Sequence, residues 1–327
     1  MKFGDKEIQL GIMYRREQPP EQLVSFVRSA EAAGYDEVWI VEDCFWGSGV
    51  AAVSTALAVT NKINVGLGIM PAVVRNPVFA AMEIATLAGI YPGRFLPGFG
   101  HGVAEWMEQI GAFPESQLAA LGETVEAVKR LLKGEHFDFD GRHVHLKDVA
   151  LEFPPKDVPP ISLGVRGPKS LQMAGRVGDG TILAEFSAPE YVQWAREQIA
   201  QGQTEPKPHR LTVFAMAYFD ADGEGAFNLA KARIGAAIAH GHIDPQLEAI
   251  GVLEQANALR RSNTLQSALP DAWVRDLVLA GAEEMVLDGV LRYIDAGADS
   301  LVLVPPTDQA LAAPYEIAAR LIGFLKE

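Results

Sequence analysis

Two glycine-rich segments of this 327-residue chain carry the residue types best suited to holding a ligand. Gly164-Val165-Arg166-Gly167-Pro168-Lys169-Ser170 leaves an apolar run, turns through glycines and meets Pro168, which suits the first position of a helix. Free amides at that helix start, beside Arg166 and Lys169, make an anion site. The alternative is an ordinary strand-to-helix loop with solvated charges. Gly98-Phe99-Gly100-His101-Gly102 carries Val103 where a dinucleotide fingerprint has its third glycine. It reads as a tight turn, or as a wall where a flat ligand approaches the backbone closely. An imidazole titrates near neutrality, so His101 leads the residues able to move a proton. Asp43 and Glu105 are the other candidates by position. Trp46 and Trp106 are apolar walls or simple packing.

The elements that position these residues follow from the apolar pattern. Short apolar runs read as strands at Ile8–Met13, Glu37–Val41, Ile63–Met70, Arg94–Gly98, Ile161–Val165, Thr181–Ala184, Arg210–Tyr218 and Leu301–Val304. Helical segments separate them: Pro20–Ala33 (stopped by Gly34), Ala51–Thr60, Val78–Ile90, Gln117–Leu132, one from Pro168, Pro189–Ala200 and Pro314–Leu325. Continuous rather than alternating apolar strands imply a parallel sheet buried on both faces. Eight such units predict a (β/α)8 TIM barrel of the α/β class, preferred over an open doubly wound sheet. The prediction is one domain over 1–327 with two excursions. Residues 134–160 hold a hairpin, with Glu135–Asp138 and His143–Leu146 flanking an Asp140-Gly141 turn that tolerates positive φ. Residues 205–280 are mostly helical beyond Tyr218, with no clear strand from Gly223 to Ala280. A barrel places its chemistry at the carboxyl ends of its strands. That gathers Tyr14 and Arg15, Glu42 to Trp46, Gly66 to Pro71, the His101 and Arg166 segments, and Glu185 at one mouth.

Composition narrows the function. The chain is 49% hydrophobic, with 28 Lys+Arg against 42 Asp+Glu and a net charge of −14. That argues against nucleic-acid or anionic-membrane partners, which need clustered cations. Met1 to Leu10 carries charges and no apolar run, so no signal peptide is expected. No run is long enough for a membrane span. The single Cys44 excludes an intramolecular disulfide and any multi-cysteine metal site, and nothing near it in sequence activates a thiolate. His143 and His145 share a face of the hairpin, but no third ligand is implied, so a surface strand is favoured over a metal site. His240 and His242 read as structural or rim residues.

Five segments, in order and spacing, carry a resemblance across nearly the whole chain. They are Glu31 to Asp43, Gly66 to Pro77, Tyr91-Pro92-Gly93-Arg94 through Gly102, Gly167-Pro168-Lys169 through Gly180, and Gly281 to Pro305. With them the chain resembles the bacterial luciferase-like superfamily of flavin and deazaflavin oxidoreductases, most closely its methylenetetrahydromethanopterin-reductase-like branch. The resemblance implies a (β/α)8 barrel binding coenzyme F-420 (deazaflavin) or FMN at its mouth. It implies a non-prolyl cis peptide at Gly68-Ile69 that supports the flavin. It makes His101-Gly102 a cofactor wall, Arg166, Gly167, Pro168, Lys169 and Ser170 the phosphate loop, and Asp43 a neighbour of the cofactor. Glu185, ending strand six, joins the cofactor-lining set.

The implied activity is hydride transfer to or from a small organic substrate. The alternative is an FMN-dependent monooxygenase fed by a separate flavin reductase; a third reading is a non-catalytic flavin-binding barrel. A cytoplasmic homodimer, paired through early helices including Val78–Ile90, is expected. Deazaflavin-dependent sugar-phosphate dehydrogenases of this superfamily place His after the aspartate and Glu after the strand-four glycines. This chain has Cys44 and Val103 there, so that substrate is not carried over, and nothing supports a light reaction.

Overall fold

The structure is a computed structural model; it describes residues 2–3, 6–219, 223–262 and 265–306. Eight parallel strands form its centre: β1 (Gln9–Tyr14), β2 (Glu37–Ile40), β3 (Asn64–Pro71), β4 (Phe95–Gly100), β5 (Ser162–Gly164), β6 (Gly180–Leu183), β7 (Arg210–Phe219) and β8 (Ser300–Val304). Each pairs with its neighbours in sequence, and β8 returns to β1 through Leu301 opposite Leu10, so the sheet closes. The barrel is thus the expected fold, and an open sheet is excluded. The helices that dress it include α1 (Leu23–Ala33), α2 (Gly49–Val59), α3 (Pro77–Ile90), α4 (Gln117–Leu132), α5 (Pro168–Val177) and α6 (Pro189–Gly202). The expected closing helix Pro314–Leu325 lies outside the described residues. No described helix is long and apolar enough to cross a membrane.

The barrel interior is organised around one indole. Trp39 of β2 points inward, where β1 and β3 carry glycines. A Cβ on Gly66 would sit 2.3 Å from Trp39 Cδ2, and one on Gly11 would sit 3.3 Å from Trp39 Cδ1. Phe214 of β7 meets the indole edge-on, with centroids 5.5 Å apart at 68°. Below it, the fully buried Glu37 carboxylate accepts from Trp39 Nε1 at 2.7 Å and Ser300 Oγ at 2.8 Å. The Arg210 guanidinium completes this polar plug. A buried carboxylate persists because its oxygens are all engaged. The barrel interior is therefore a packed core, not a channel.

The excursions correct two expectations. The hairpin pairs Phe137–Asp140 with His145–Val149, shifted along the chain from the predicted strands. Its turn spans Gly141 to Val144, closed by Gly141 N–H donating to the Val144 carbonyl at 2.9 Å, and Gly141 is not at positive φ. A tertiary partner sets this geometry. The Glu123 carboxylate of α4 accepts the amides of Arg142, His143 and Val144 at 2.9, 2.8 and 3.0 Å. Beyond β7 the chain is helical, but Leu279–Gly281 forms a strand alongside Ala217–Phe219 where none was expected. Three residues ending in Ala-Gly are too short to show a strand period, and pairing with the long β7 creates the element.

Candidate active site

The floor of the mouth is the side chain of Ile69, at the end of β3. The Gly68–Ile69 peptide is cis, as the resemblance implied. A Cβ on Gly164 would come 2.6 Å from Ile69 Cγ2, and one on Gly100 would come 2.9 Å from Ile69 Cδ1. A Cβ on Gly98 would strike Ile182 Cδ1 at 2.6 Å and the Leu67 carbonyl oxygen at 2.7 Å. Glycines in β4 and β5 thus let one aliphatic side chain lie across the mouth. Gly98 and Gly100 belong to a strand and not to a tight turn; the turn glycine is Gly102, at φ 74°. Gly68 is accounted for from below, since its Cβ would meet Phe214 at 2.9 Å and Trp39 at 3.1 Å.

One wall joins the two segments singled out first. His101 leaves β4 and brings Nε2 to 3.4 Å from Ser170 Oγ, in the first turn of α5. Burial holds its pKa below the usual imidazole range, partly offset by the Gln117 backbone, so the ring is neutral near pH 7. Helix α5 begins at Gly167 with no side-chain cap and has Pro168 at its first position. Its leading amides are unsatisfied within the helix and carry the positive end of its dipole. A Cβ on Gly167 would meet open space, and the Lys169 chain is exposed beside it. Arg166 is placed differently from expectation. Its guanidinium donates to the His242 carbonyl, and Tyr191 donates to the Arg166 carbonyl at 2.6 Å. Arg166 thus ties the cradle to the helical excursion.

The opposite wall comes from β1, β2 and the short helix Ala104–Gln109. Asp43 accepts from Arg16 Nη1 at 2.8 Å, and the Arg16 guanidinium lies over both the Trp46 and Trp106 rings, 5.5 Å from each centroid. Sequence reading missed Arg16. Its partners lie 27, 30 and 90 residues away, and only its place after β1 marked it. Next to Asp43, the Glu42 carboxylate is gripped by Arg75 at 2.6 and 2.7 Å and caps Gly49 N–H at 3.0 Å, which makes it structural. Burial, then Asp43 and Glu42, push the Cys44 thiol up, in line with its dismissal as a nucleophile.

Not every candidate joins the cluster. Glu105 is exposed in the first turn of the short helix, with no ion pair among the described residues. Glu185 follows β6, half-buried, and its carbonyl accepts from the buried Gln246. His145 binds Asp140 at 2.8 Å at the hairpin surface, and no cluster of three metal-ligating residues exists among the described residues. His240 and His242 stack at 5.4 Å on the exposed rim.

An uncapped helix start with a lysine and a serine offers amide, ammonium and hydroxyl donors and positive charge, a set that fits a phosphate. Apolar Ile69 beside it fits the face of a flat ring.

Comparison with known proteins gives the chain's relatives and its family. A 5,10-methylenetetrahydromethanopterin reductase from Methanolobus tindarius is 32% identical over 252 residues, 76% of each chain. The structure of the coenzyme F-420 dependent tetrahydromethanopterin reductase from Methanopyrus kandleri superposes with a TM-score of 0.83 at 21% identity, covering 98% of this chain and 99% of that one. The oxygenating constituent of 3,6-diketocamphane monooxygenase from Pseudomonas putida, in complex with FMN, matches with a TM-score of 0.73 at 17% identity, over 97% and 96% of the two chains. The model of the luciferase-like monooxygenase family matches residues 7–300, and the chain belongs to that family.

Proposed function

We propose that this protein is an oxidoreductase that passes hydride between coenzyme F-420 or FMN and a small organic substrate. The observation that carries the reading is the donor cradle of α5 set against the Ile69 floor through the His101–Ser170 contact. The Gly167, Lys169 and Ser170 backbone, with the Lys169 side chain, would hold the cofactor phosphate. Gly68, Ile69, His101, Gly102, Asp43 and Glu185 would line the ring, and Arg166 and Pro168 would shape the cradle. The bound cofactor supplies the hydride donor or acceptor. The residues do the rest: Ile69 and the two indoles exclude water, and neutral His101 accepts or relays a proton at Nε2. Asp43 and Glu105 remain the other acid–base candidates, Asp43 inside the mouth and Glu105 at its edge.

Coenzyme F-420 is favoured over FMN by the coenzyme F-420 dependent reductase structure, which superposes over 98% of this chain. The monooxygenase reading, with FMN and a separate flavin reductase, is supported by the FMN-bound structural neighbour. A homodimer is supported by α3, whose outer face exposes Phe79, Met82 and Ile90 at 62%, 48% and 61%. A cytoplasmic enzyme formed as one domain completes the reading. The test is titration of the purified protein with coenzyme F-420 and with FMN, followed by fluorescence. Tighter binding of coenzyme F-420 is expected. Tighter FMN binding moves the assignment to the monooxygenase reading, and binding of neither overturns both. Binding without turnover of any tested substrate would identify a non-catalytic barrel.

A further inference from the structure

The cations at the mouth are not equivalent. Arg15 is held by the Pro305 carbonyl at 3.1 Å and by Glu17 at 3.1 Å. Arg75 is locked on Glu42, and Arg166 on the His242 carbonyl. Arg16 is different. Its partners, Asp43 at 2.8 Å and Glu17 at 3.3 Å, are partly exposed carboxylates, Glu17 shared with Arg15, and its own side chain is 37% exposed. Exposed pairs of this kind contribute little and exchange readily. Yet the guanidinium lies over two indoles, one from the loop after β2 and one from the short helix Ala104–Gln109. Trp46 is half exposed. It follows Phe45, which sits at φ 74°, in a turn closed by Trp46 N–H on the Asp43 carbonyl. A bulky residue at positive φ is uncommon and gathers at ligand sites. Glu42 on this side is already paired with Arg75, which leaves Asp43 and Glu17 as the carboxylates on Arg16, so an anion entering here would compete with these two for the guanidinium.

We propose that Arg16, Trp46 and Trp106 form a substrate subsite for a flat, conjugated organic carboxylate. The indoles stack on the ring, and Arg16 leaves Asp43 for the carboxylate. The guanidinium fork matches a carboxylate in two parallel hydrogen bonds, which Asp43 now receives only through Nη1. The exchange also frees Asp43 to face the cofactor side of the mouth. This subsite deepens the proposed function and rests on it for its place beside the cofactor.

The test uses the full-length protein and β-naphthoate, followed by tryptophan fluorescence and calorimetry. Neutral β-naphthylmethanol tests the charge, and cyclohexanecarboxylate tests the flat ring. Saturable β-naphthoate binding is expected, with both controls weaker. Arg16→Gln should cost β-naphthoate about tenfold or more in affinity, with Arg16→Lys intermediate. Trp106→Leu should erase the preference for β-naphthoate over cyclohexanecarboxylate. Circular dichroism and melting of each variant confirm folding, and Arg16→Lys retains charge where Arg16→Gln does not. The subsite is overturned by no saturable β-naphthoate binding, by equal affinity for β-naphthylmethanol, or by indifference to Arg16→Gln. Titration of the same variants with coenzyme F-420 and FMN separates the two failures. If the wild type binds neither cofactor, the proposed function fails while the response to Arg16 still stands or falls alone.

Discussion

His101 Nε2 lies 3.4 Å from Ser170 Oγ, across 69 residues of chain. That contact makes one wall of two loops, so a change in the cradle is felt at the residue placed to move a proton. In the proposed enzyme, Ser170→Ala should lower the rate and shift its pH profile while leaving the fold intact. An unchanged profile would remove His101 from the chemistry.

The cradle predicts selectivity for phosphate. Lys169→Ala should weaken FMN or coenzyme F-420 binding by about ten- to a hundredfold, the loss of one charge-assisted contact of about 1.5–3 kcal/mol. Riboflavin affinity should hold, because only the phosphate contact is removed. Arg166→Ala should act differently: its bond to the His242 carbonyl predicts greater proteolytic sensitivity in the helical excursion. Parallel titrations with FMN and riboflavin decide the first point, and limited proteolysis the second.

The floor predicts a compensating pair. Gly164→Ala forces its Cβ against Ile69 Cγ2 at 2.6 Å, so the isoleucine must shift into the mouth. Overpacking of this kind costs about 1–3 kcal/mol. Cofactor affinity should fall, and the double variant Gly164→Ala/Ile69→Ala should recover stability beyond additivity. Strictly additive urea denaturation energies would show that the two residues do not press on each other.

Stability should fall on mild acidification. His209 bonds Thr181 Oγ1 at 2.8 Å, and burial, then Lys207, depress its pKa from 6.5 to about 4. Below pH 6.5 the unfolded chain takes up a proton that the folded chain refuses until about pH 4. Stability is therefore full above pH 6.5 and declines as pH drops toward 4, by about 2–3 kcal/mol from this residue. Buried His101 contributes in the same direction. Thermal melts across this range should show the decline, and His209→Gln should flatten it.

The exposed face of α3 predicts association. Phe79→Glu should convert a dimer to monomers by light scattering without lowering cofactor affinity, since Phe79 is exposed on α3 and is not among the residues assigned to the cofactor. A wild-type monomer at micromolar concentration would remove α3 as an interface.

By itself the sequence determined the barrel and most of its elements. Apolar runs such as Ile8–Met13 and Leu301–Val304, separated by helical periods, need only neighbours in sequence to be read, and β1 and β8 lie within a residue of them. It also marked the cradle, because Gly167 and Pro168 act on their own backbone and start a helix locally. The tertiary structure decided what depends on distance in sequence. Gly66 and Gly11 leave space inside the barrel that Trp39, from the neighbouring strand, fills. Leu279–Gly281 became a strand only beside β7, and the hairpin turn took its shape from Glu123. Arg166 turned toward His242, and Arg16 toward Asp43 and two indoles, because a long charged side chain settles on whichever partner folding brings within reach. Backbone preferences are local and legible in the chain; where a flexible cation or a buried indole comes to rest is a property of the closed barrel.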